Sequence, residues 1–322
     1  MILPEVFTKL LLRLPSSNGV KIDPKQWLLC QLSPADILGE PGMEPEEVRR
    51  NIEAVSGSRK LPHTDKVLSK DHSIKTSGTS IIIREYFSSA TKKSKEAIMY
   101  FHGGGWVLGD LDSDESMCKF LSKKSGYKVI SVDYRLAPEN KFPIPLQDCY
   151  ESLLYFYENS KEFGINPEKI SICGTSAGGN LSAAVSLLLR DNNKNIVKSQ
   201  ILFCPVTDND FNTKTYIEYV EGYGLDKAVM LWFWNHYVDG EITRYAAPNK
   251  DTKNSNLPKT YIITAECDIL RSEAEKYHEN IRRNVDSKIE MFEGALHGFN
   301  VNIGEITNAE ICLDKVSRFL ND

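Results

Sequence analysis

Ile170-Ser171-Ile172-Cys173-Gly174-Thr175-Ser176-Ala177-Gly178 is the stretch on which the reading of this chain turns. An apolar run of strand character leads into G-x-S-x-G, and residues 180–190 continue with helical character. Strand, tight turn and helix in that order give the pattern its meaning. The turn at Ser176 must be sharp to lift the serine oxygen clear of a sheet. A side chain at Gly174 or Gly178 would then collide with the neighbouring strand or helix. The following helix points its amide-rich N-terminus at the place where negative charge would develop. On its own the five-residue pattern matches by chance, so its partners elsewhere in the chain carry the weight.

Upstream, His102-Gly103-Gly104-Gly105-Trp106 follows the strand-like residues 97–101. Three consecutive glycines leave backbone N–H groups unshielded, so the chain can pass within hydrogen-bond distance of a substrate oxygen. An oxyanion hole requires that, and the donors expected here are the amides of Gly104, Gly105 and Ala177. The plainer reading, a flexible turn after a strand, is disfavoured because the cluster precedes the serine in the order this architecture needs. His102 is read as structural, tying the loop down through its ring nitrogens, and Trp106 as facing the substrate pocket.

These two motifs, with Asp133-Tyr134-Arg135-Leu136-Ala137-Pro138-Glu139 between them, resemble the hormone-sensitive-lipase family of α/β-hydrolases. The family includes many carboxylesterases and is related to arylacetamide deacetylases. The resemblance runs from about Ile81 to the C-terminus, and Thr175 places the chain with the subgroup whose elbow reads G-T-S-A-G rather than the commoner G-D-S-A-G. It implies an α/β-hydrolase fold: a mostly parallel central sheet, helices on both faces and a helical cap.

A serine hydroxyl is a poor nucleophile until a nearby base takes its proton, and the expected chain order is Ser, then Asp or Glu, then His. Of the six histidines, His236, His278 and His297 follow the serine. His278 lies among charges and reads as a solvated helix face, and His236 sits in the aromatic stretch 232–237, where packing is the plainer explanation. His297 falls in a Gly-flanked loop after the strand-like residues 288–292 and matches the family's His-Gly-Phe, so it is the expected base. Asp268 follows the strand-like residues 261–263, at a strand's carboxyl end where α/β sheets place their sites, and is the expected acid. Glu266 is the alternative acid, and for either carboxylate a helix N-cap is the bland reading. Where many relatives read Asp-Pro-Leu-x-Asp-Glu, this chain reads Asp268-Ile269-Leu270-Arg271-Ser272-Glu273. The triad survives that departure, but local loop rigidity differs.

Outward from these motifs, strand character recurs at residues 81–87, 97–101, 128–134, 169–173, 199–203, 260–265 and 288–292. Helical patterns fall near 113–125, 145–159, 180–190, 272–283 and 308–320. Short apolar runs separated by amphipathic helices predict a largely parallel sheet covered on both faces. Two regions break the alternation. Residues 1–60 look helical and amphipathic, with Val6, Leu10, Leu11 and Leu14 at near-helical spacing. Residues 207–250 carry Tyr216, Tyr219, Tyr223, Trp232, Phe233, Trp234 and Tyr237. The resemblance implies that both form a cap over the serine, dividing a catalytic domain into parts 61–206 and 251–322. Most of those aromatics are read as the cap's own core.

The 322 residues suffice for one such domain with its cap, and 41% hydrophobic with 26% charged content reads as soluble and globular. A net charge of −5 provides no basic field for nucleic acid. No apolar run approaches the roughly 18 residues that span a bilayer, so no stable membrane insertion is expected. The N-terminus lacks a basic start and a small-residue cleavage site, so a cytoplasmic location is expected. The seven cysteines are then reduced thiols rather than a disulfide framework, and without a C-x-x-C pair neither a metal nor another cofactor is expected. The ligand is a small-molecule ester. A homodimer stays open, because relatives often dimerise although no segment declares an interface.

The leading functional expectation is hydrolysis of short- to medium-chain carboxylic esters through an acyl-enzyme. Arylamide deacetylation uses the same machinery. Plant hormone receptors on this scaffold have lost the triad histidine, whereas all three positions are filled here. Lipase action at an interface would call for an exposed apolar lid.

Overall fold

Side chains alternate across the central strands, and each face of the sheet has its own core. In the computed structural model, which describes residues 20–32, 42–55 and 66–322, β3 (Ala97–Phe101) is buried at every position. Its Met99 and Phe101 join the core on one face, Ile98 and Tyr100 the core on the other. The sheet's remaining strands are β1 (Leu68–Lys75), β2 (Ser80–Phe87), β4 (Lys128–Val132), β5 (Ile170–Thr175), β6 (Ser199–Phe203), β7 (Lys259–Cys267) and β8 (Ser287–Leu296), in the order β1-β2-β4-β3-β5-β6-β7-β8. β1 and β2 pair antiparallel with their neighbours, and every later pairing is parallel.

Burial on both faces explains why the inner parallel strands β3 to β7 read as largely apolar runs. β1 escapes the sequence reading for the opposite reason. Six of its eight residues are exposed, so an edge strand with one hydrogen-bonded neighbour needs no apolar pattern.

Two helices that do not enclose the sheet come first, α1 (Pro24–Leu32) and α2 (Pro45–Val55). One face of the sheet is covered by α3 (Glu115–Ser125) and α9 (Thr307–Asn321), the other by α4 (Ile144–Glu158), α5 (Ala177–Asp191) and α8 (Arg271–Ile281). Each corresponds to an expected helix. The main displacement is at α5, which begins directly after Ser176 rather than at residue 180. Gly178 and Gly179 are poor helix formers, and tertiary packing overrides their propensity. Residues 207–250 contain α6 (Lys214–Glu218) and α7 (Lys227–Tyr237).

The two N-terminal helices reach the loops that matter. Gln26 of α1 donates to Leu296 O at 3.0 Å and accepts from Leu296 N at 2.9 Å, beside His297. Arg49 of α2 donates to Val107 O at 2.9 Å and to Ala137 O at 2.8 Å, and pairs with Glu139. Val6, Leu10, Leu11 and Leu14 lie outside the described residues. Among the described residues no helix is long and apolar enough to cross a membrane.

Behind α5 lies a buried ion pair whose removal has a defined cost. Arg190 grips Asp251 with both terminal nitrogens, at 2.7 and 2.8 Å, and the two side chains are 5% and 2% exposed. Burial pushes the Asp251 carboxyl up, but the Arg190 hydrogen bonds outweigh it and hold it below 3.8. Its stabilisation is therefore present above pH 3.8 and lost as pH falls through the lower folded-state value. Asp251→Asn leaves the buried guanidinium only Asp191, whose Oδ1 lies 3.0 Å from Arg190 Nε, as counter-charge, and is expected to cost about 1.5–3 kcal/mol. Urea denaturation at pH 7 checks this, and an unchanged midpoint would refute it.

Candidate active site

Ser176 occupies a backbone conformation that residues with a Cβ avoid, φ 56° and ψ −115°. Such strain costs about 1–3 kcal/mol and persists only where the surroundings enforce it. Here Ser176 N donates to Phe203 O at 2.8 Å, and Ser176 O accepts from Asn180 N at 3.0 Å and Val206 N at 3.3 Å. The flanking glycines answer to close approach. A Cβ on Gly178 would lie 1.9 Å from Phe101 O, and one on Gly174 would lie 2.2 Å from Gly178 O.

The glycine-rich loop runs alongside this turn, since a Cβ on Gly103 would stand 3.8 Å from that of Ser176. Gly103 N donates to Asp114 Oδ2 at 3.3 Å. Among the described residues, the amides of Gly104 and Gly105 donate no hydrogen bond. Ala177, first residue of α5, has an amide with no partner inside its helix. The Ala177 amide follows the serine directly, and those of Gly104 and Gly105 follow Gly103, which runs beside it. His102 is fully buried, with Nδ1 at 2.7 Å from Gly103 O and its ring stacked on Tyr134 at 4.2 Å. It fixes the loop, as its position suggested.

From the far end of the sheet come the expected base and the expected acid. Asp268 follows β7 directly, and His297 follows β8. His297 Nδ1 lies 2.7 Å from Asp268 Oδ2, with the carboxylate side chain 1% exposed. An ionised carboxylate only accepts, so Nδ1 carries the proton and Nε2 is left as the free lone pair. Asp268 Oδ1 accepts from Leu270 N at 2.9 Å, which fixes the carboxylate plane. Glu266 is directed elsewhere and accepts from Gly294 N at 2.8 Å. His236 Nδ1 contacts Trp232 O at 2.8 Å, one helical turn back, and His278 Nδ1 contacts Ser287 Oγ at 2.9 Å. Neither approaches the elbow by such contacts. No hydrogen bond joins Ser176 Oγ to His297 in this structure, among the described residues. Catalytic hydrogen bonds in ligand-free sites often close only when substrate arrives.

Three features lay beyond the sequence reading. Cys204 follows Phe203, the residue that holds Ser176 N, and its Sγ lies within 4.8 Å of ligand atoms of both Asp268 and His297. These donors are of the kind that could hold a metal. Burial, with Asp268 nearby, pushes the thiol well above its ordinary value, so it stays protonated at neutral pH, while Asp268 and His297 are committed to each other.

Phe233 of α7 covers the glycine loop so closely that a Cβ on Gly105 would lie 2.2 Å from its ring. Glu273, pushed well up by burial, accepts from Thr207 N at 2.6 Å and holds the turn after Pro205. Long sequence separation hides all three.

Trp106 departs from the expectation of a pocket-facing ring. It is wholly buried, stacked on Tyr237 at 4.1 Å and edge-on to Trp234 at 5.0 Å. Aromatic partners from residues 207–250 draw the indole into the core they build, and Phe233 stands over the loop instead.

The α/β-hydrolase family model matches residues 98–301, which span the glycine loop, the elbow, Asp268 and His297. The arylesterase of Saccharolobus solfataricus is 34% identical over 254 residues, covering 76% of this chain and 80% of its own. The carboxylic ester hydrolase LipN of Mycobacterium tuberculosis is 31% identical over 298 residues, covering 88% and 78%. A solved structure of a fungal esterase from Rhizomucor miehei superposes with a TM-score of 0.88 at 30% identity, covering 94% of this chain and 96% of that one. With the elbow, the glycine loop and the acid–base pair in place, the chain belongs to the α/β-hydrolase family, in its hormone-sensitive-lipase-like branch.

Proposed function

We propose that this protein is a serine carboxylesterase that hydrolyses short- to medium-chain carboxylic esters through an acyl-enzyme. The observation that carries the reading is the Asp268–His297 pair at 2.7 Å, whose loop is tied to the strained serine turn by the hydrogen bond from Asn300 to Thr175 at 2.8 Å. In the mechanism, Ser176 Oγ attacks the ester carbonyl while His297 Nε2 takes its proton. Asp268 holds the ring in the required tautomer and stabilises the imidazolium that forms. The amides of Gly104, Gly105 and Ala177 receive the oxyanion, each worth about 2.7–4 kcal/mol at the transition state. His297 then returns the proton to the departing alkoxide, and water, activated by the same ring, releases the acid.

The described residues of the segment 1–60, together with residues 207–250, serve as a cap. Trp27 meets Tyr223 edge-on at 6.4 Å, and Trp232 Nε1 donates to Met43 O at 3.0 Å, so the two segments touch each other. The cap excludes water, which strengthens the oxyanion contacts. Phe233 forms the apolar wall nearest the glycine loop, and Trp106 reaches substrate only indirectly, through the cap core it anchors. The free thiols of all seven cysteines suit a reducing cytoplasm.

A p-nitrophenyl ester series from acetate to palmitate tests the substrate class. Activity is expected to peak at about six carbons or fewer, because a capped pocket bounds the acyl group. An optimum above about ten carbons, or activation by emulsified substrate, would overturn the small-ester reading.

A further inference from the structure

The variable residue of the elbow is tied into a buried polar chain that reaches both other loops of the site. Thr175 Oγ1 accepts from Asn300 Nδ2 at 2.8 Å and lies 3.0 Å from Tyr100 Oη. Tyr100 Oη donates to Asp114 Oδ2 at 2.7 Å, and the same carboxylate oxygen accepts from Gly103 N at 3.3 Å. Thr175, Tyr100, Asp114 and Asn300 are all buried.

The donor sense of this chain is fixed. A side-chain amide nitrogen can only donate and a carboxylate can only accept. Tyr100 has one proton; Asp114 Oδ2 at 2.7 Å, a charged acceptor, holds it over the weakly accepting Met117 Sδ at 3.3 Å, so Thr175 donates to Tyr100. The order is therefore Asn300 to Thr175 to Tyr100 to Asp114, with Gly103 N converging on the same end. Burial and the Asp114 charge push the Tyr100 phenol well above its ordinary value, so its proton stays in place. Asp114 occupies the N-cap position of α3, yet its carboxylate makes no capping bond to that helix. An aspartate there ordinarily satisfies the first turn; this one is turned inward to end the chain.

The placement has a consequence for the reaction. Asn300 lies three residues beyond His297, in the turn that carries the base. Thr175 immediately precedes Ser176. Gly103 immediately precedes the free amides of Gly104 and Gly105. With Gly103 N spent on Asp114, those two amides are the ones left to face an oxyanion. We propose that Thr175 is a positioning residue: its hydroxyl is the junction of a one-way donor chain that registers the base loop and the oxyanion loop against the nucleophile.

This inference rests on the esterase reading above, and its test is separable from it. Thr175→Val replaces the hydroxyl with a methyl of similar size. It is expected to lower kcat on p-nitrophenyl acetate about 30-fold with KM within about threefold, since misplaced reacting groups cost rate rather than binding. Thr175→Ser, which keeps the oxygen, is expected to recover kcat to within about threefold of wild type.

Tyr100→Phe removes one oxygen from the next link and reads the same chain if the valine variant does not fold. Combined with Thr175→Val it should add little, because both break one network. A Thr175→Val or Tyr100→Phe protein with wild-type kcat would overturn the proposal. So would a folded Thr175→Ser variant as slow as the valine one, or effects of the two changes that simply multiply. Loss of activity in Ser176→Ala is independent of all these outcomes and bears on the esterase reading alone.

Discussion

Exchanging Ser176 for alanine is expected to lower kcat on p-nitrophenyl acetate by about a millionfold, the scale on which a nucleophile's removal stops acyl-enzyme chemistry. The free amides of Gly104, Gly105 and Ala177 persist in that variant. A residual rate about 10³–10⁴ above water is therefore expected from oxyanion stabilisation and binding. The substitution deletes one oxygen that is 7% exposed as part of its residue and makes no structural hydrogen bond among the described residues. Thermal stability should hold or rise slightly. The second measurement is covalent: a fluorophosphonate ester should add once to the wild-type protein, on the peptide containing Ser176, and not to the variant. A variant that keeps a tenth of wild-type kcat, or wild-type protein labelled elsewhere, would end the assignment.

Asp268→Asn should be the second-largest effect and also decides between the two candidate acids. Asparagine keeps the shape but can present an N–H to His297 Nδ1, which then needs the lone pair on Nδ1 and the proton on Nε2. That is the wrong tautomer for taking a proton from serine, and kcat is expected to fall about 10⁴-fold with little change in KM. Glu266→Gln should change kcat less than about threefold, because that carboxylate holds Gly294 N rather than the imidazole. The reverse ranking of the two variants would transfer the acid's role to Glu266.

Much of this was legible along the chain because local sterics wrote it there. Gly174 and Gly178 could be inferred from the turn alone, and their Cβ positions would indeed fall inside neighbouring backbone. The inner parallel strands announced themselves by apolar runs, since burial on both faces leaves little polar register to confuse them. β1 did not, because an exposed edge strand is specified by the ladder of its neighbour rather than by its own side chains.

Trp106 shows the limit for single side chains. Its position beside the glycine loop suggested a pocket wall, but where a ring points depends on what packs against it. Tyr237 and Trp234 lie far along the chain. Cys204 and Asn300 carried no local signal either: a cysteine before a proline and an asparagine in a turn are ordinary in isolation.

By itself, then, the order of residues determined the sheet-and-helix class, the strained serine turn, the exposed amides of the glycine loop and the identities of a plausible base and acid. Each of those follows from short-range geometry or from the few side chains able to do the chemistry. Only the tertiary structure decided that Asp268 rather than Glu266 meets His297, that Phe233 rather than Trp106 stands over the loop, and that Thr175 joins Asn300 to Asp114. Those outcomes depend on distances between strands and helices far apart in sequence, which no local pattern encodes.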